Sequence, residues 1–512
     1  MSEFQSTAAP NKTPGTIENL DLVRFEGFST LNTKPTRQAI KADEMYWCDN
    51  FMPVGKDNLK SLPGSSYLSP ILQTSGSPAI ISFFFFNIVT VQYIIVFFDD
   101  GSGQILTFNT AITPATFVAG VVAGTFFTAG PSYFTPACCQ YGAQSLLISC
   151  PAGLFTFDGT GGIVAVSGSP PGTNIETFQT RVWIAQGANI IFSAPASSTD
   201  FSTTDGGGSV TSSDSFLRVA YTKLISSNGY LYVFADSSIN YIANVSITSA
   251  VPPVTSFKNT NIDPQIGAVW ADTVQTFSRN IYFANYYGIH SLTGGTVTKV
   301  SSALDALFQN LGIGSGVGPY NRFNPSSAQA VVYGEHIYTA LLPIVDPISG
   351  LSRNALLMTD GQRWWTGSQE TTLTYIGTQE VNSTLIPYGT DGTRVFAILT
   401  NYGATLPKTV QSKYWAEPSY VMTKAPYRVA ILATGPNPYG LAMTISIDTP
   451  QGSNAISTSG VTDPRWTQVG QKLCILNASA SGYLTGLTIT TSEANVTLQS
   501  VTLAQMQYNL EL

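Results

Sequence analysis

Residues 81–98 read ISFFFFNIVTVQYIIVFF and contain no charged side chain. A membrane helix needs about 20 apolar residues, but β-branched and aromatic residues dominate this run, and both kinds favour strands. Asn87 divides the run, and the turn sequence DDGSG at 99–103 leads into a further short strand, QILTFNT. We therefore predict a three-stranded antiparallel meander and no membrane span, because a strand buried on both faces also gives an unbroken apolar run.

The same pattern of an apolar strand, a Gly, Asn or Asp turn and a second strand recurs downstream. Several intervals are about fifty residues, the size of a four-stranded propeller blade. A single blade cannot bury both faces, so roughly six or seven blades around an axis would explain the many strands that are apolar on both sides. We predict an all-β chain with a β-propeller-like repeat domain, and a stacked array of β-sandwiches is the alternative. The recurrences lie at 146–166, 181–195, 224–244, 276–300, 330–367 and 384–400.

Composition divides the chain into three parts. Residues 1–70 mix both charges with several prolines, which predicts an extended N-terminal arm. Residues 71–405 carry the repeats and predict the propeller-like domain. Residues 406–512 alternate in a different pattern, which predicts a C-terminal β-sandwich.

One segment inside the repeats has helical spacing. In SALDALFQNL at 302–311, Ser302 and Asp305 have the spacing of a capping box, and Leu307 and Leu311 fall on one face. The Gly-rich sequence at 312–318 should end the helix. We predict one inserted helix near 302–311.

Charge is scarce and unevenly distributed. Charged residues make up 10% of the chain, the formal net charge is −7, and residues 61–180 contain no Lys or Arg. Tight nucleic-acid binding depends on clustered Lys and Arg, so DNA that met this chain would be repelled or only guided. The N-terminal sequence MSEFQSTAAPNKTPG has no basic and apolar regions of the secretory type, and we expect no such signal there.

The five cysteines, Cys48, Cys138, Cys139, Cys150 and Cys474, form no CxxC pair and are odd in number. We expect buried thiols rather than a disulfide framework. Adjacent Cys138 and Cys139 would point to opposite faces of a strand, which opposes a shared metal site. His290 and His336 are the only histidines, and without a G-x-S-x-G sequence to place a nucleophile we expect both to be structural.

Two loops resemble functional motifs only in part. TDGQRWW at 359–365 is similar to the sialidase Asp-box, but its spacing differs and it occurs once, so we expect a turn followed by buried Trp364 and Trp365. The loop at 198–216 contains Asp200, Asp205 and Asp214 but lacks the regular spacing of an EF-hand. The glycine clusters at 159–162 and 312–318 lack the Lys-Ser/Thr pair or the G-x-G-x-x-G setting that phosphate binding requires, and we expect turns there.

We predict no catalytic, cofactor-binding or metal-binding residues and no enzyme activity.

Three stretches resemble the tail nozzle, or tail tube, proteins of short-tailed bacteriophages. The first is the arm at 27–64, where NFMPVG is followed by a spacer with Leu and then by PG. The second is 190–242, in which a strand ending in Ser-x-Pro, a loop and a Leu-Tyr-Val-Phe strand follow one another. The third is VTKVSSALDALFQNL at 297–311, similar to the single helix that these proteins often carry between blades.

The resemblance implies a virion protein made in the host cytoplasm and assembled into the tail. It implies a ring, usually hexameric, attached to the portal and adaptor and near other tail proteins such as the fibres. Such a ring retains the packaged double-stranded DNA and conducts it during ejection. Ring assembly would bury arm residues such as Trp47 and Phe51, which helps to reconcile a mean hydropathy of +0.12 with solubility. The arm is less basic than expected for a segment that clamps onto neighbours, which leaves the docking surface unassigned.

Two other functions compete with the nozzle. A glycan-binding propeller adhesin, or receptor-binding tail protein, would use exposed aromatic residues such as Trp364 and Tyr420. A propeller glycan hydrolase would need two carboxylates held close together, and the acidic residues of this sequence are scattered.

Overall fold

The described residues fold almost entirely into antiparallel β-sheets, which confirms the predicted all-β class. The computed structural model describes residues 20–33, 36–66, 72–73, 78–109, 112–117, 125–128, 135–211, 220–309, 329–334, 336–346, 352–381, 383–416, 422–436 and 439–509. The first five strands are β1 (Leu20–Phe25), β2 (Trp47–Asp49), β3 (Phe51–Val54), β4 (Asn58–Ser61) and β5 (Leu72–Gln73).

Seven four-stranded units follow, which we call blades I to VII. Blade I contains β6 (Ile80–Ile88), β7 (Val91–Phe98), β8 (Gly103–Asn109) and β9 (Ile112–Phe117), and blade II contains β10 (Ala137–Tyr141), β11 (Ser145–Cys150), β12 (Gly153–Phe157) and β13 (Val164–Ala165). Blade III contains β14 (Asn174–Phe178), β15 (Arg181–Gln186), β16 (Asn189–Phe192) and β17 (Gly208–Thr211), and blade IV contains β18 (Tyr221–Ser227), β19 (Tyr230–Ala235), β20 (Ile239–Ile247) and β21 (Thr255–Asp263).

The remaining blades complete the set. Blade V contains β22 (Gln275–Phe277), β23 (Asn280–Asn285), β24 (Gly288–Thr293) and β25 (Thr296–Lys299), and blade VI contains β26 (Gln329–Tyr333), β27 (Ile337–Val345), β28 (Ser352–Thr359) and β29 (Trp364–Gly367). Blade VII contains β30 (Tyr375–Val381), β31 (Thr384–Thr390) and β32 (Arg394–Ala397), and its fourth strand is β5 from the N-terminal segment.

The blades close into a ring around a central axis. The first strands of neighbouring blades contact each other from β6 to β18 and from β22 through β26 and β30 back to β6. Between blades IV and V, the 3-10 turn at Ala271–Thr273, just before β22, makes the contact with β18. Strand β30 of the last blade contacts β6 of the first, and β5 completes the last blade. The domain is therefore a seven-bladed β-propeller, which settles the blade number that the sequence left open.

The apolar run of the sequence forms β6 and β7, and with β8 these strands make the predicted three-stranded meander. Phe83 and Ile94 pack towards blade VII, whereas Phe86 and Ile95 pack towards blade II. The turn falls at Val89 and Thr90, not at the predicted break, Asn87. Asn87 stays in the strand, where it pairs with Gln92 of β7, and the Gln140 side chain of blade II hydrogen-bonds to its backbone N and O.

The C-terminal part forms two facing sheets. Its strands are β33 (Lys408–Gln411), β34 (Met422–Gly435), β35 (Met443–Thr449), β36 (Gly452–Ser457), β37 (Gly470–Asn477), β38 (Gly486–Thr491) and β39 (Thr497–Asn509). One sheet has the order β3-β4-β39-β34-β37, with β1 paired to β39, and the other contains β33-β38-β35-β36. Side chains such as Val429, Leu503 and Ile489 are fully buried between them.

The N-terminal segment is integrated into both other parts of the chain, where the sequence predicted only an extended arm. Strand β2 lies between β29 of blade VI and β33, so that a nine-stranded sheet runs from the propeller into the C-terminal domain. Strands β1, β3 and β4 join the opposite sheet. Residues 1–19 lie outside the described residues.

A buried arginine fixes the same segment to the C-terminal domain. Nε of Arg37 donates to the Ser412 carbonyl at 2.6 Å, and one terminal nitrogen lies 2.8 Å from a carboxylate oxygen of Asp448. The guanidinium carbon also lies 4.4 Å from the centre of the Tyr414 ring. A planar guanidinium can make these contacts at the same time, so a single side chain satisfies several groups that burial would otherwise leave unpaired.

Trp47 and Phe51 are 1% and 0% exposed, in a core shared by the N-terminal segment, blade VI and the C-terminal sheets. The expectation that ring assembly buries these two side chains is therefore wrong, because the chain already buries them itself. They hold the two domains together rather than two subunits.

The predicted helix at 302–311 is shorter in the structure. A 3-10 turn spans Ser302–Leu304 and α1 spans Asp305–Gln309, while residues 310 and 311 lie outside the described residues. Asp305 does not complete the predicted capping box, and its carboxylate instead lies 2.6 Å from Nζ of Lys299 at the end of β25. Among the described residues, no helix is long and apolar enough to cross a membrane.

We predict that Trp47→Ala lowers the free energy of unfolding by about 3–5 kcal/mol, because it removes a fully buried aromatic side chain at the junction of two domains. Urea unfolding of the purified chain measures this change. The control is Val54→Ala in the adjacent strand β3, where the side chain is 37% exposed and the effect should be small. A loss below about 1 kcal/mol for Trp47→Ala would contradict the assigned burial.

Candidate functional site

The described residues enclose a cavity at the central channel of the propeller. Its volume is about 600 Å³, and all seven blades contribute to its wall through their first strands or the residues just before them. The ring geometry therefore brings side chains from distant parts of the sequence to one place. A cavity of this size suits a small molecule.

Three of the described residues that line the channel carry charge: Glu176, Lys223 and Asp272. They come from β14 of blade III, β18 of blade IV and the turn before β22 of blade V, so they lie on adjacent blades. Nζ of Lys223 lies 3.9 Å from Oδ1 of Asp272. One ammonium group thus faces two carboxyl groups on one side of the channel.

Glu176 is partly exposed in this wall. Its Oε1 accepts hydrogen bonds from the Ser226 hydroxyl at 3.0 Å and from the Thr177 backbone N at 3.2 Å. Burial raises the pKa of Glu176 above its usual range, and nearby Lys223 offsets only part of that effect. The carboxyl group is therefore incompletely compensated by its surroundings.

The opposite wall is apolar and aromatic. In a seven-bladed ring, blades VII and I lie across the axis from blade IV, and they contribute Tyr375, Phe83 and Phe84. The rings of Phe83 and Tyr375 meet edge to face, with their centres 5.4 Å apart. Burial raises the pKa of the Tyr375 hydroxyl well above its usual value, and Asp272 adds to the shift. The hydroxyl is neutral at physiological pH and can act as a hydrogen-bond donor.

Cys138 and Cys139 lie in β10 beside the channel, and they pack against different clusters, one shared with blade I and one shared with blade III. Burial raises the pKa of both thiols. Because the thiolate is the reactive form, these thiols are poor nucleophiles at neutral pH. All five cysteines are free, as the sequence predicted.

The Asp-box-like stretch forms the turn between β28 and β29, as expected. The Asp360 carboxylate accepts from the backbone N of Gln362 and Arg363 and pairs with the Arg363 guanidinium at 2.7 Å. Trp364 and Trp365 are 4% and 1% exposed. Trp364 is therefore unavailable for the glycan contact that the adhesin hypothesis gave it, and Tyr420 lies outside the described residues.

Two aspartates of the 198–216 loop hydrogen-bond to the same residue, Ser202. Asp200 accepts from the backbone N of Ser202, and Asp205 accepts from the Ser202 hydroxyl, while Asp214 lies outside the described residues. Within the described ranges, no group of three or more His, Cys, Asp and Glu residues is placed to hold a metal ion.

The two histidines lie in different blades. His290 is buried in blade V with its ring stacked on Phe283, and burial lowers its pKa. His336 is exposed in the turn before β27. The glycine cluster at 159–162 forms a turn after β12, and the cluster at 312–318 lies outside the described residues.

The charged wall of the channel carries a sequence signal that becomes visible only when the blades are aligned. Glu176, Lys223 and Asp272 are each about fifty residues apart, which is the blade period, and each lies at or near the first strand of its blade. Alignment of the blades by their first strands would have brought the three positions together. These three charged residues are scattered in the sequence, and closure of the ring brings them together.

No protein-family profile and no curated protein matches the chain. Among solved structures, an exo-β-1,3-galactanase from Phanerochaete chrysosporium is 10% identical over 87% of this chain and 100% of its own, with a TM-score of 0.26. The N-terminal domain of Nup159 is 12% identical over 68% and 97%, with a TM-score of 0.33. PorZ, a surface component of the type-IX secretion system of Porphyromonas gingivalis, is 10% identical over 73% and 52%, with a TM-score of 0.32. Similarities this low favour no activity and exclude none.

We predict that Glu176→Gln makes the chain more stable at neutral pH. Because the folded-state pKa is raised, the folded chain holds more protons than the unfolded chain above the usual value of 4.5, and stability falls as pH rises through this window. The amide keeps an acceptor oxygen for Ser226 and Thr177 but cannot ionise. The gain over the unaltered chain should therefore grow from pH 4 to pH 7.

Urea unfolding at several pH values tests this difference. Glu380→Gln is the matched control, because Glu380 is an exposed carboxylate of β30. Parallel stability profiles for Glu176→Gln and the unaltered chain would show that burial of Glu176 has no effect on its ionisation.

Proposed function

We propose that this chain is a structural, non-enzymatic subunit of the tail nozzle of a short-tailed bacteriophage. In this proposal, several copies form a ring at the distal end of the tail, attached through portal and adaptor proteins. The ring retains the packaged DNA and conducts it during ejection.

The observation that carries the proposal is the position of the three stretches that resemble nozzle proteins. The stretch at 27–64 contains β2, β3 and β4, which join the propeller to the C-terminal domain. The stretch at 190–242 connects blades III and IV, and the stretch at 297–311 connects blades V and VI. All three lie at junctions between structural units, where sequence is constrained by architecture rather than by a reaction.

The distribution of charge supports a role beside DNA. Residues 61–180, which contain no Lys or Arg, include the whole of blades I and II. Basic side chains on the wall of a conduit would bind phosphates and slow the exit of DNA. We propose that this sector of the propeller faces the bore of the ring.

The C-terminal domain offers a surface for ring formation. On the outer face of its β1-containing sheet, Leu22, Ile475 and Met506 are 52%, 45% and 39% exposed. Strand pairing places all three on the same face, opposite the buried Leu503 and Cys474. Exposed apolar side chains grouped on one surface are typical of protein contacts.

Electron microscopy of the purified chain, alone and mixed with tail-less capsids of the same source, tests the proposal. We predict rings with a central hole that join the capsid vertex. Ile475→Glu should abolish the rings and leave the fold intact, whereas Val251→Glu, at a 98% exposed position in blade IV, should leave the rings unchanged. Dispersed single chains that never join the vertex would contradict a nozzle.

A second candidate, a glycan-binding adhesin or receptor-binding tail protein, is favoured by one cluster of tyrosines on blade IV. The ring centres of Tyr230 and Tyr241 are 5.2 Å apart, Tyr232 adjoins both, and Tyr230 is 41% exposed. Exposed aromatic rings can stack against a ligand. Oligosaccharide binding by single chains that Tyr230→Ala abolishes, with no ring formation, would favour this function over the nozzle.

A further inference from the structure

The central channel has two unlike walls, and the difference follows from the order of the blades. Blades III, IV and V supply Glu176, Lys223 and Asp272, while blades VII and I supply Tyr375 and Phe84 across the axis. The side chains of Lys223 and Asp272 are 22% and 28% exposed, and Glu176 is also partly exposed. All three therefore present charge to the channel, where a bound molecule could meet them.

The charged wall contains one cation for two carboxyl groups. Lys223 approaches Asp272 at 3.9 Å, which is a long separation for an ion pair. Glu176 relies on one hydroxyl and one backbone N–H for its hydrogen bonds. A partly buried carboxylate is stabilised when a counter-charge and hydrogen-bond donors compensate for its loss of water. A second ammonium group placed between Glu176 and Asp272 would supply both.

The aromatic wall complements such a cation. Phe84 and Tyr375 are both partly exposed to the channel. Aromatic faces attract cations and also bury apolar surface. The cavity of about 600 Å³ has room for an organic molecule that reaches from one wall to the other.

We propose that the central channel binds a small organic cation, namely an ammonium group attached to an apolar body. The ammonium group lies between Glu176 and Asp272 and donates hydrogen bonds to their carboxylates. The apolar body packs against Phe84 and Tyr375. The proposal concerns the interior of one propeller and does not depend on whether the chain forms a nozzle.

Isothermal titration calorimetry of the full chain with benzylamine, benzyl alcohol and benzoate tests the proposal, because the three probes share a ring and differ in charge. We expect benzylamine to bind at one site per chain, at least tenfold more tightly than benzyl alcohol, and benzoate to show no binding. Glu176→Gln and Asp272→Asn should each weaken benzylamine binding tenfold or more. Asp57→Asn, at an exposed position in the turn between β3 and β4, should leave it unchanged.

Lys223→Met distinguishes loss of a ligand contact from general damage to the channel. It removes the cation that competes for the two carboxylates, so benzylamine should bind more tightly than to the unaltered chain. Damage to the fold would weaken binding instead. Two results would overturn the proposal: benzylamine that binds no more tightly than benzyl alcohol, or benzylamine that binds equally well after Glu176→Gln and Asp272→Asn. The comparison of benzylamine with benzyl alcohol uses only the unaltered chain, so it is decisive even if a variant does not fold.

Discussion

The pairing of β2 with both β29 and β33 is the interaction on which the arrangement of the whole chain depends. Without β2, the outer edge of blade VI and the edge of β33 would each expose unpaired backbone N–H and C=O groups. With it, a single sheet passes from the propeller to the C-terminal domain. Trp47 fills the space beside this junction, and Asp49 pairs with Arg353 of blade VI at 2.9 Å.

Ring closure is the second constraint, and it produces the channel. Each blade is a local antiparallel unit, but its faces are buried only when the next blade is present. Closure through β5 and β30 joins residues that are far apart in sequence and sets blade IV opposite blades VII and I. The asymmetric wall of charged and aromatic residues follows from that order.

The local pattern of apolar and turn residues was sufficient to predict the strands. It was not sufficient to predict the channel that the strands enclose or the residues that line it. The apolar run at 81–98 gave a correct meander because strand propensity and turn residues act over a few positions, although Asn87 pairs with Gln92 and the turn falls at Val89 and Thr90. The integration of the N-terminal segment depends on pairing over about 300 residues, as between Asp49 and Thr366, and no local signal specifies it. The positions of Glu176, Lys223 and Asp272 required the blade register, which becomes visible only when the ring is closed.

Because the N-terminal segment joins them, we expect the propeller and the C-terminal domain to unfold as one cooperative unit. Hydrogen exchange followed by mass spectrometry at increasing urea concentration tests this claim directly, with peptides from β28 and β29 compared with peptides from β33 and β38. We expect both sets of peptides to lose protection at the same urea concentration. Separate midpoints for the two sets would show that the domains unfold independently and would contradict it.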